Sequence, residues 1–591
     1  MTFRFGPRLE TDGVTFRLWA PAARTVDLVC GETLTMHKGA GGWFELVVPR
    51  ARPGLRYQFR IDGELDVPDP ASAFQPDDVA GPSQVVDHAY DWQASGWRGR
   101  PWHEAVFLET HVGTFTPEGT FRAMIGMLDH LVETGVTVLE LMPLADFSGR
   151  RNWGYDGVLL YAPDSAYGTP DDLKALVDAA HGRGLMVFLD VVYNHFGPEG
   201  NYLGRYAPSL FSTAAHTPWG AAVDYRIPEV RAFAIENALH WLARYRFDGL
   251  RLDAVHAIGL PGAPHLLAEL SRAVGELARR TGRLIHLVLE NDDNTAALLD
   301  PAADPPQGRY RAQWNDDYHH AWHTFLTGEG RGYYKDYVGD EARHLPRILA
   351  SGFAYQGEAS RHRDGRRRGE ASESLPPTAF VSFLQNHDQI GNRARGERLD
   401  VLASAEGIAA ALAVTLLAPF PPLMFQGEEW GSTQPFPFFC DFSGDLADAV
   451  RRGRRAEYAD DYAHQKDDGT IPDPLAEKTF RDAVLDWSAR ERAPHKGRLA
   501  LVRRLLAVRR AEVVPRLAGV TGGGRSAMTD GVLTATWPLA GGTLHLLANL
   551  SDTPKPGKPP PGRPIWGEEI EERVQPWSVH WSWQERRPSL P

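Results

Sequence analysis

The sequence predicts an α/β protein built on a (β/α)8 TIM barrel, with an N-terminal β-sandwich domain and a C-terminal antiparallel β domain. Three observations carry this. From Ala105 to Glu429 short apolar runs alternate with helix-length amphipathic segments, the pattern of a parallel α/β sheet. Ahead of them, residues 1–91 hold brief β-type runs separated by Gly/Pro turns. Behind the helical segment LALVRRLLAVRRAE (499–512), alternating strands resume. The expected domains are therefore 1–91, 92–510 and 511–591, since 591 residues exceed what one core holds.

In chain order, VTFRLWAP, TVDLVC, GWFELVVP and LRYQFRIDG read as strands of an immunoglobulin-like sandwich with its own core. The barrel strands follow: AVFLETHV (105–112), TVLELMP (137–143), LMVFLDVVYNH (185–195), GLRLDAV (249–255), LIHLVLEN (284–291), FVSFLQNHD (380–388) and PLMFQGEE (422–429). The polar stretch AQWNDDYHH (312–320) supplies the eighth. No Gly-rich phosphate fingerprint follows any strand, which favours the barrel over a doubly wound sheet. The apolar run IAAALAVTLLA (408–418) is about half the ~20 residues needed to cross a bilayer, so it is expected as a buried helix. VLTATWPL and TLHLLANL begin the C-terminal sheet, and PKPGKPPPGRP (554–564) is a loop.

A net charge of −13 has the wrong sign for a polyanion-binding protein, and no nucleic-acid partner is expected. The basic runs RHRDGRRRGE (361–370) and RRGRR (451–455) lack interleaved aromatics and read as solvated surface. Two distant cysteines, Cys30 and Cys440, exclude a disulfide framework, and MTFRFGPRLE has no apolar signal core. A reducing cytoplasmic location, without membrane contact, is the expectation. Seventeen tryptophans is a high count and bears on any ligand.

The C-terminal strand ends are where a barrel keeps its chemistry. Here the third strand ends in Asp190, Asn194 and His195, and the fourth in Arg251, Asp253 and His256. The fifth ends in Glu290, with His286 and Val288 on its face by the two-residue period, and the seventh in Asn386, His387 and Asp388. Any one of these has a structural reading: Arg251–Asp253 as an ion pair, His195 as a capped loop histidine. Their recurrence at one rim does not. No cluster has zinc spacing and no GxSxG elbow occurs, so neither a metal nor an acyl-transfer site is expected. Paired carboxylates beside Arg and His fit glycosidic cleavage by retention, with Arg251 holding Asp253 charged and an apolar wall raising the Glu290 pKa. Trp153, Tyr155, Trp219, Trp314 and Trp430 lie in rim-side segments and offer flat faces for sugar rings.

With these residues in place the sequence resembles the α-amylase superfamily, glycoside hydrolase family 13. DVVYNH (190–195), GLRLDAVH (249–256), LVLEN (287–291) and FLQNHD (383–388) match its four short conserved regions in order. The resemblance implies Asp253 as nucleophile, Glu290 as general acid then base, and Asp388 as the carboxylate that binds sugar hydroxyls and distorts the ring. It implies His195, Arg251 and His387 at the same subsite, with Tyr155 as stacking platform; Trp153 and Trp430 are expected as substrate contacts from their rim-side segments alone. Asp190 and Asn194 fall at the first region's structural positions beside it. In amylases that Asn often helps bind calcium, but FGPEGNYLGRY shows no acidic cage, so neither calcium nor a cofactor is expected. ETHVGTFTPEGTF (109–121), LMPLADFSGRRNWGYDGV (141–158), VVYNHFGPEGNYL (191–203) and NHDQIGNRARGERL (386–399) are similar to the trehalose-releasing branch. The implied partner is maltooligosyltrehalose or a related α-1,4-glucan. A branching enzyme would usually carry an acid directly after the Glu, where Asn291 stands, and an isoamylase-like debranching enzyme is a further alternative. A non-catalytic glucan-binding protein would have lost one of the three acids, and all three are present.

Overall fold

The computed structural model describes residues 3–217, 220–258, 266–300, 308–459 and 471–586. Eight strands close into a barrel at its centre. They are β1 (Phe107–Thr110), β2 (Val138–Leu141), β3 (Met186–Val191), β4 (Gly249–Leu252), β5 (His286–Leu289), β6 (Ala312–Trp314), β7 (Phe380–Phe383) and β8 (Pro422–Phe425). All neighbours are parallel, and the pairing of Phe107 with Leu423 closes the ring. The polar stretch at 312–320 does supply the sixth strand, which is brief because a helix begins at Asp316.

Alternation along each strand sorts side chains between two layers. Phe107, Val138, Phe188, Val288, Trp314 and Phe383 fill the barrel interior together with Trp102. Leu250 and Leu252 belong to the outer layer under the helices, which turns Arg251 inward. Gly249 opens β4 because a Cβ there would sit 2.4 Å from the Phe188 ring that packs the floor. The surrounding helices include α1 (Pro170–Gly182), α2 (Pro228–Arg244), α3 (Leu266–Thr281), α4 (Asp316–Thr327), α5 (Ala405–Leu417) and α6 (His495–Val508). A capping box of Thr169 and Asp172 with Pro170 in the first turn starts α1. Ser404 caps α5, the helix expected from the apolar run, and α5 is buried along nearly its whole length. No helix among the described residues is long and apolar enough to cross a membrane.

The N-terminal strands form two antiparallel sheets. Their inner side chains pack on one another, as Phe16 on Tyr57 and Tyr57 on Phe59, and this core runs on into the barrel's outer layer. Phe5 meets Phe233 of α2 edge-on at 5.1 Å, and Ala22 N–H donates to Tyr206 O at 3.0 Å, so the sandwich uses the barrel helices as part of its interior. The C-terminal sheet has five antiparallel strands, including Val532–Leu539 and Gly542–Asn549. Two of its tryptophans face the barrel, Trp537 donating to Leu349 O at 2.9 Å and Trp581 to Ala413 O at 3.1 Å.

Candidate active site

The strand register brings the predicted groups to one mouth. Asp190 on β3 pairs across to Arg251 on β4, and Leu252 to Leu289 on β5. One step further, Asp253 and Glu290 stand level on neighbouring strand ends, their N–H groups still in the ladder to Val191 O and Leu252 O. The chain then turns: Ala254 takes φ 41° and ψ 50°, a left-handed conformation that a residue with a Cβ adopts at a cost. That turn aims its N–H at Glu290 Oε2, 2.6 Å away.

Both Asp253 oxygens are engaged. Arg251 Nη1 donates to Oδ1 at 2.6 Å and Asn194 Nδ2 to Oδ2 at 2.8 Å. The same Arg251 nitrogen reaches Asp190 Oδ2 at 2.7 Å, while Nη2 stands 3.9 Å from Glu290 Oε2. Beneath, the guanidinium lies 4.2 Å over the Trp314 ring. Burial raises the Glu290 pKa well above the carboxyl norm, helped by Asp253, Asp316 and Asp388 and opposed by Arg251. Glu290 is therefore built to hold a proton. Asp388 is the open member, its side chain 53% exposed against 14% for Asp253.

On the other side, Asn386 caps a short helix, His387–Gly391, by accepting from Gln389 N–H. His387 Nδ1 is tied to Glu109 of β1, and Tyr155 stacks on the imidazole at 5.0 Å and 24°. The Tyr155 hydroxyl donates to Asp190 Oδ2 at 2.5 Å. His195 holds the Tyr155 carbonyl through Nε2 at 3.0 Å and Asn194 through Nδ1. Burial lowers the His195 pKa, and Asp253, Asp156 and the Tyr155 carbonyl oppose that shift.

Not every aromatic reaches the mouth. Trp430 is fully buried against His130 and Trp487, and Trp314 lies inside the barrel below Arg251. Trp153 is 4% exposed, stacked on Phe436, and touches His387 by its edge: it backs the site rather than lining it. His286 sits at the barrel floor against Trp102. Trp219 lies outside the described residues. The basic run at 361–370 is also not all solvated surface. Arg368 is 4% exposed at its side chain and bonds Asp317 Oδ1 at 2.6 Å and Asp292 Oδ1 at 2.9 Å. Arg363 reaches Asp292 and Asp293, so the run ties down the loop that follows Glu290.

Three polar groups of the mouth were missed from sequence: Glu109, Asp316 and Arg368. Glu109 carried the signal that identified the others, a carboxylate two residues beyond an inward apolar residue, Phe107. Asp316, just past β6, receives a 3.4 Å contact from Gln389, and burial with the charges of Asp292 and Asp388 raises its pKa to about 7.

Comparison with known proteins agrees with this architecture. The profile for the alpha amylase catalytic domain matches residues 91–209, that for carbohydrate-binding module 48 (isoamylase N-terminal domain) residues 4–74, and a domain of unknown function (DUF3459) residues 521–581. A malto-oligosyltrehalose trehalohydrolase of Deinococcus radiodurans is 44% identical over 85% of this chain and 82% of its own length. That of Arthrobacter ramosus is 44% identical over 84% and 87%, and that of Saccharolobus solfataricus 40% over 82% and 83%. A solved structure of a Salmonella typhimurium protein described as an alpha amylase superposes with a TM-score of 0.94 at 45% identity, over 99% of this chain and 100% of that one. A pullulanase of Paenibacillus barengoltzii shares the fold at a TM-score of 0.72 and 20% identity, over 98% of this chain and 95% of that one. With relatives 36 to 44% identical over more than four fifths of their own lengths, the chain belongs to the α-amylase family of glycoside hydrolases, family 13, among the malto-oligosyltrehalose trehalohydrolases.

Proposed function

We propose that the chain is a retaining glycoside hydrolase that cleaves the α-1,4-glucosidic bond next to the terminal trehalose unit of malto-oligosyltrehalose and releases trehalose. The observation that carries this reading is the near full-length identity to trehalohydrolases from several organisms. The mouth supports the chemistry. Asp253 attacks the anomeric carbon as the bond to the departing oxygen breaks, and Glu290 gives that oxygen its proton. The resulting glucosyl ester is then opened by water, whose proton returns to Glu290. Level placement on adjacent strands, which run about 4.8 Å apart, suits the separation of about 5–5.5 Å that retention requires. Asp388, exposed at the rim, is the carboxylate available to sugar hydroxyls, and half-buried Tyr155 offers a ring beside His387. Arg251, His195, His387, Asp190 and Asn194 hold these groups in place. The free thiols of Cys30 and Cys440 fit a reducing, cytoplasmic setting.

A branching transferase is the second reading, favoured by a 1,4-alpha-glucan branching enzyme of Mycobacterium tuberculosis that is 37% identical over 41% of this chain. The two differ in whether water or a glucan hydroxyl opens the ester. Malto-oligosyltrehalose, plain malto-oligosaccharide and amylose, supplied separately, decide between them. Free trehalose from the first with little action on the others supports hydrolysis, and new α-1,6 linkages in amylose refute it.

A further inference from the structure

Glu109 ends β1 on the inner face of the barrel, and one distant residue engages its carboxylate twice. The backbone N–H of His387 donates to Oε2 at 3.0 Å, and its Nδ1–H donates to Oε1 over a short contact. Only 1% of the Glu109 side chain and 3% of the His387 side chain is exposed. A carboxylate so dry persists in its charged form only with a cation or several donors.

Nδ1 committed in this way fixes the ring, and Nε2 then stands 3.9 Å from Asp388 Oδ1. Tyr155 stacks on the imidazole, and Trp153 meets it edge-on at 5.4 Å. What Nε2 offers depends on charge: a lone pair in the neutral ring, an N–H in the imidazolium. Each sugar hydroxyl is one donor and a double acceptor. Asp253 and Asp388 supply acceptors only, so a donor completes the set.

We propose that Glu109 is a positioning residue for this reaction: by occupying Nδ1 it keeps His387 doubly protonated and presents Nε2–H to a hydroxyl of the sugar seated beside Asp253 and Asp388. The proposal rests on the functional reading of the mouth given above. The charged and titratable groups facing the ring are Glu109, Asp388, Asp190, Arg251, His111 and Tyr155. Burial and Arg251 act against the cation, Glu109 and Asp388 act for it, and the balance raises the His387 pKa. The cation is then complete below the usual histidine range and is lost only as pH rises through the raised value.

Glu109→Gln keeps the shape and removes the charge. Nitrogen-15 spectra of histidine-labelled protein, with the His387 signals found by difference against His387→Gln, report the ring's titration directly. The expected result is a midpoint lower by about one pH unit or more and a kcat on malto-oligosyltrehalose lower by roughly 10- to 100-fold, with KM within about 3-fold. Glu109→Asp recovers part of both, and Glu109→Gln adds no further loss in the His387→Gln background. An unmoved midpoint, or losses that multiply in the double variant, overturns the proposal. If Glu109→Gln does not fold, the wild-type ring decides, since a midpoint at or below about 6.5 also overturns it. Full kcat in His387→Gln overturns the reading of the mouth instead, and is told apart by a titration shift in Glu109→Gln that persists.

Discussion

Arg251 Nη1 lies 2.6 Å from Asp253 Oδ1, two residues away on the same strand face. The guanidinium is 2% exposed and also carries Asp190, so one cation serves two carboxylates. A lysine keeps the charge but loses the planar fork and the Trp314 face. Arg251→Lys is expected to lower kcat by about two orders of magnitude. Arg251→Met leaves Asp190 buried without a cation, which costs about 3–5 kcal/mol in denaturant unfolding. Wild-type stability in Arg251→Met would show that Asp190 does not depend on the pair.

The division of labour between the two strand-end acids is open to test by substrate. Asp253→Asn nearly preserves volume and removes the proposed nucleophile, so turnover is expected to fall to background with the fold intact. Glu290→Gln is expected to hurt poor leaving groups most, because an activated aryl glucoside leaves without a proton. Equal losses on both kinds of substrate would remove the general-acid role from Glu290.

Much of this site was legible from strand periodicity. Arg251, Asp253 and Glu290 announced themselves because a charge on the inward face of an apolar strand is costly and needs a reason, whereas Asp388 lies past its strand, on the short helix His387–Gly391, and is exposed. The eight strands were legible for the same alternation, even β6, whose polar tail belongs to the start of α4. What escaped was contact across the chain. Glu109 follows the same rule as Asp190, but its partner is His387, 278 residues on. Arg368 looked like surface because its neighbours are, and only the fold of the 358–368 hairpin places Asp317 and Asp292 against it.

Trp430 shows the opposite error, a rim-side aromatic that packs. Its ring is sealed between His130, 5.6 Å away, and Trp487, 4.8 Å away. Trp430→Ala is expected to lower stability by about 3–5 kcal/mol while leaving KM unchanged in what still folds. A raised KM at native stability would return Trp430 to the substrate.

Arg368 is expected to matter for stability and, through the loop after Glu290, for rate. Its Nε also donates to Asp292 O at 2.7 Å, and its partner Asp317 is fully buried. Arg368→Met removes the cation from that carboxylate, which keeps donors in Asn294 Nδ2, the Tyr337 hydroxyl and the N–H groups of Ala354 and Tyr355, so the expected cost is about 1–3 kcal/mol. Arg363→Ala, on the exposed side of the same clasp, is expected to cost about 1 kcal/mol or less. Chemical denaturation of the two variants gives both numbers, and equal losses would contradict the inner–outer distinction.

Glu140 is an acid the chemistry does not use. It sits on β2 beside Glu109, 1% exposed, with neither oxygen hydrogen-bonded among the described residues. Burial, with the charges of Glu109 and Asp190 and against Arg251, raises its pKa well above 4.5. In the unfolded chain the group ionises near its ordinary value, so from about pH 4.5 upward the folded state binds the extra proton. Stability therefore falls as pH rises through that window, by up to about 1.4 kcal/mol per pH unit from this one group. Glu140→Gln abolishes that titration and is expected to flatten the decline, leaving the variant more stable than the parent at pH 8 and nearly equal to it at pH 5. Unfolding curves at the two pH values read the difference, and a variant less stable at both would mean that Glu140 is held ionised by Arg251.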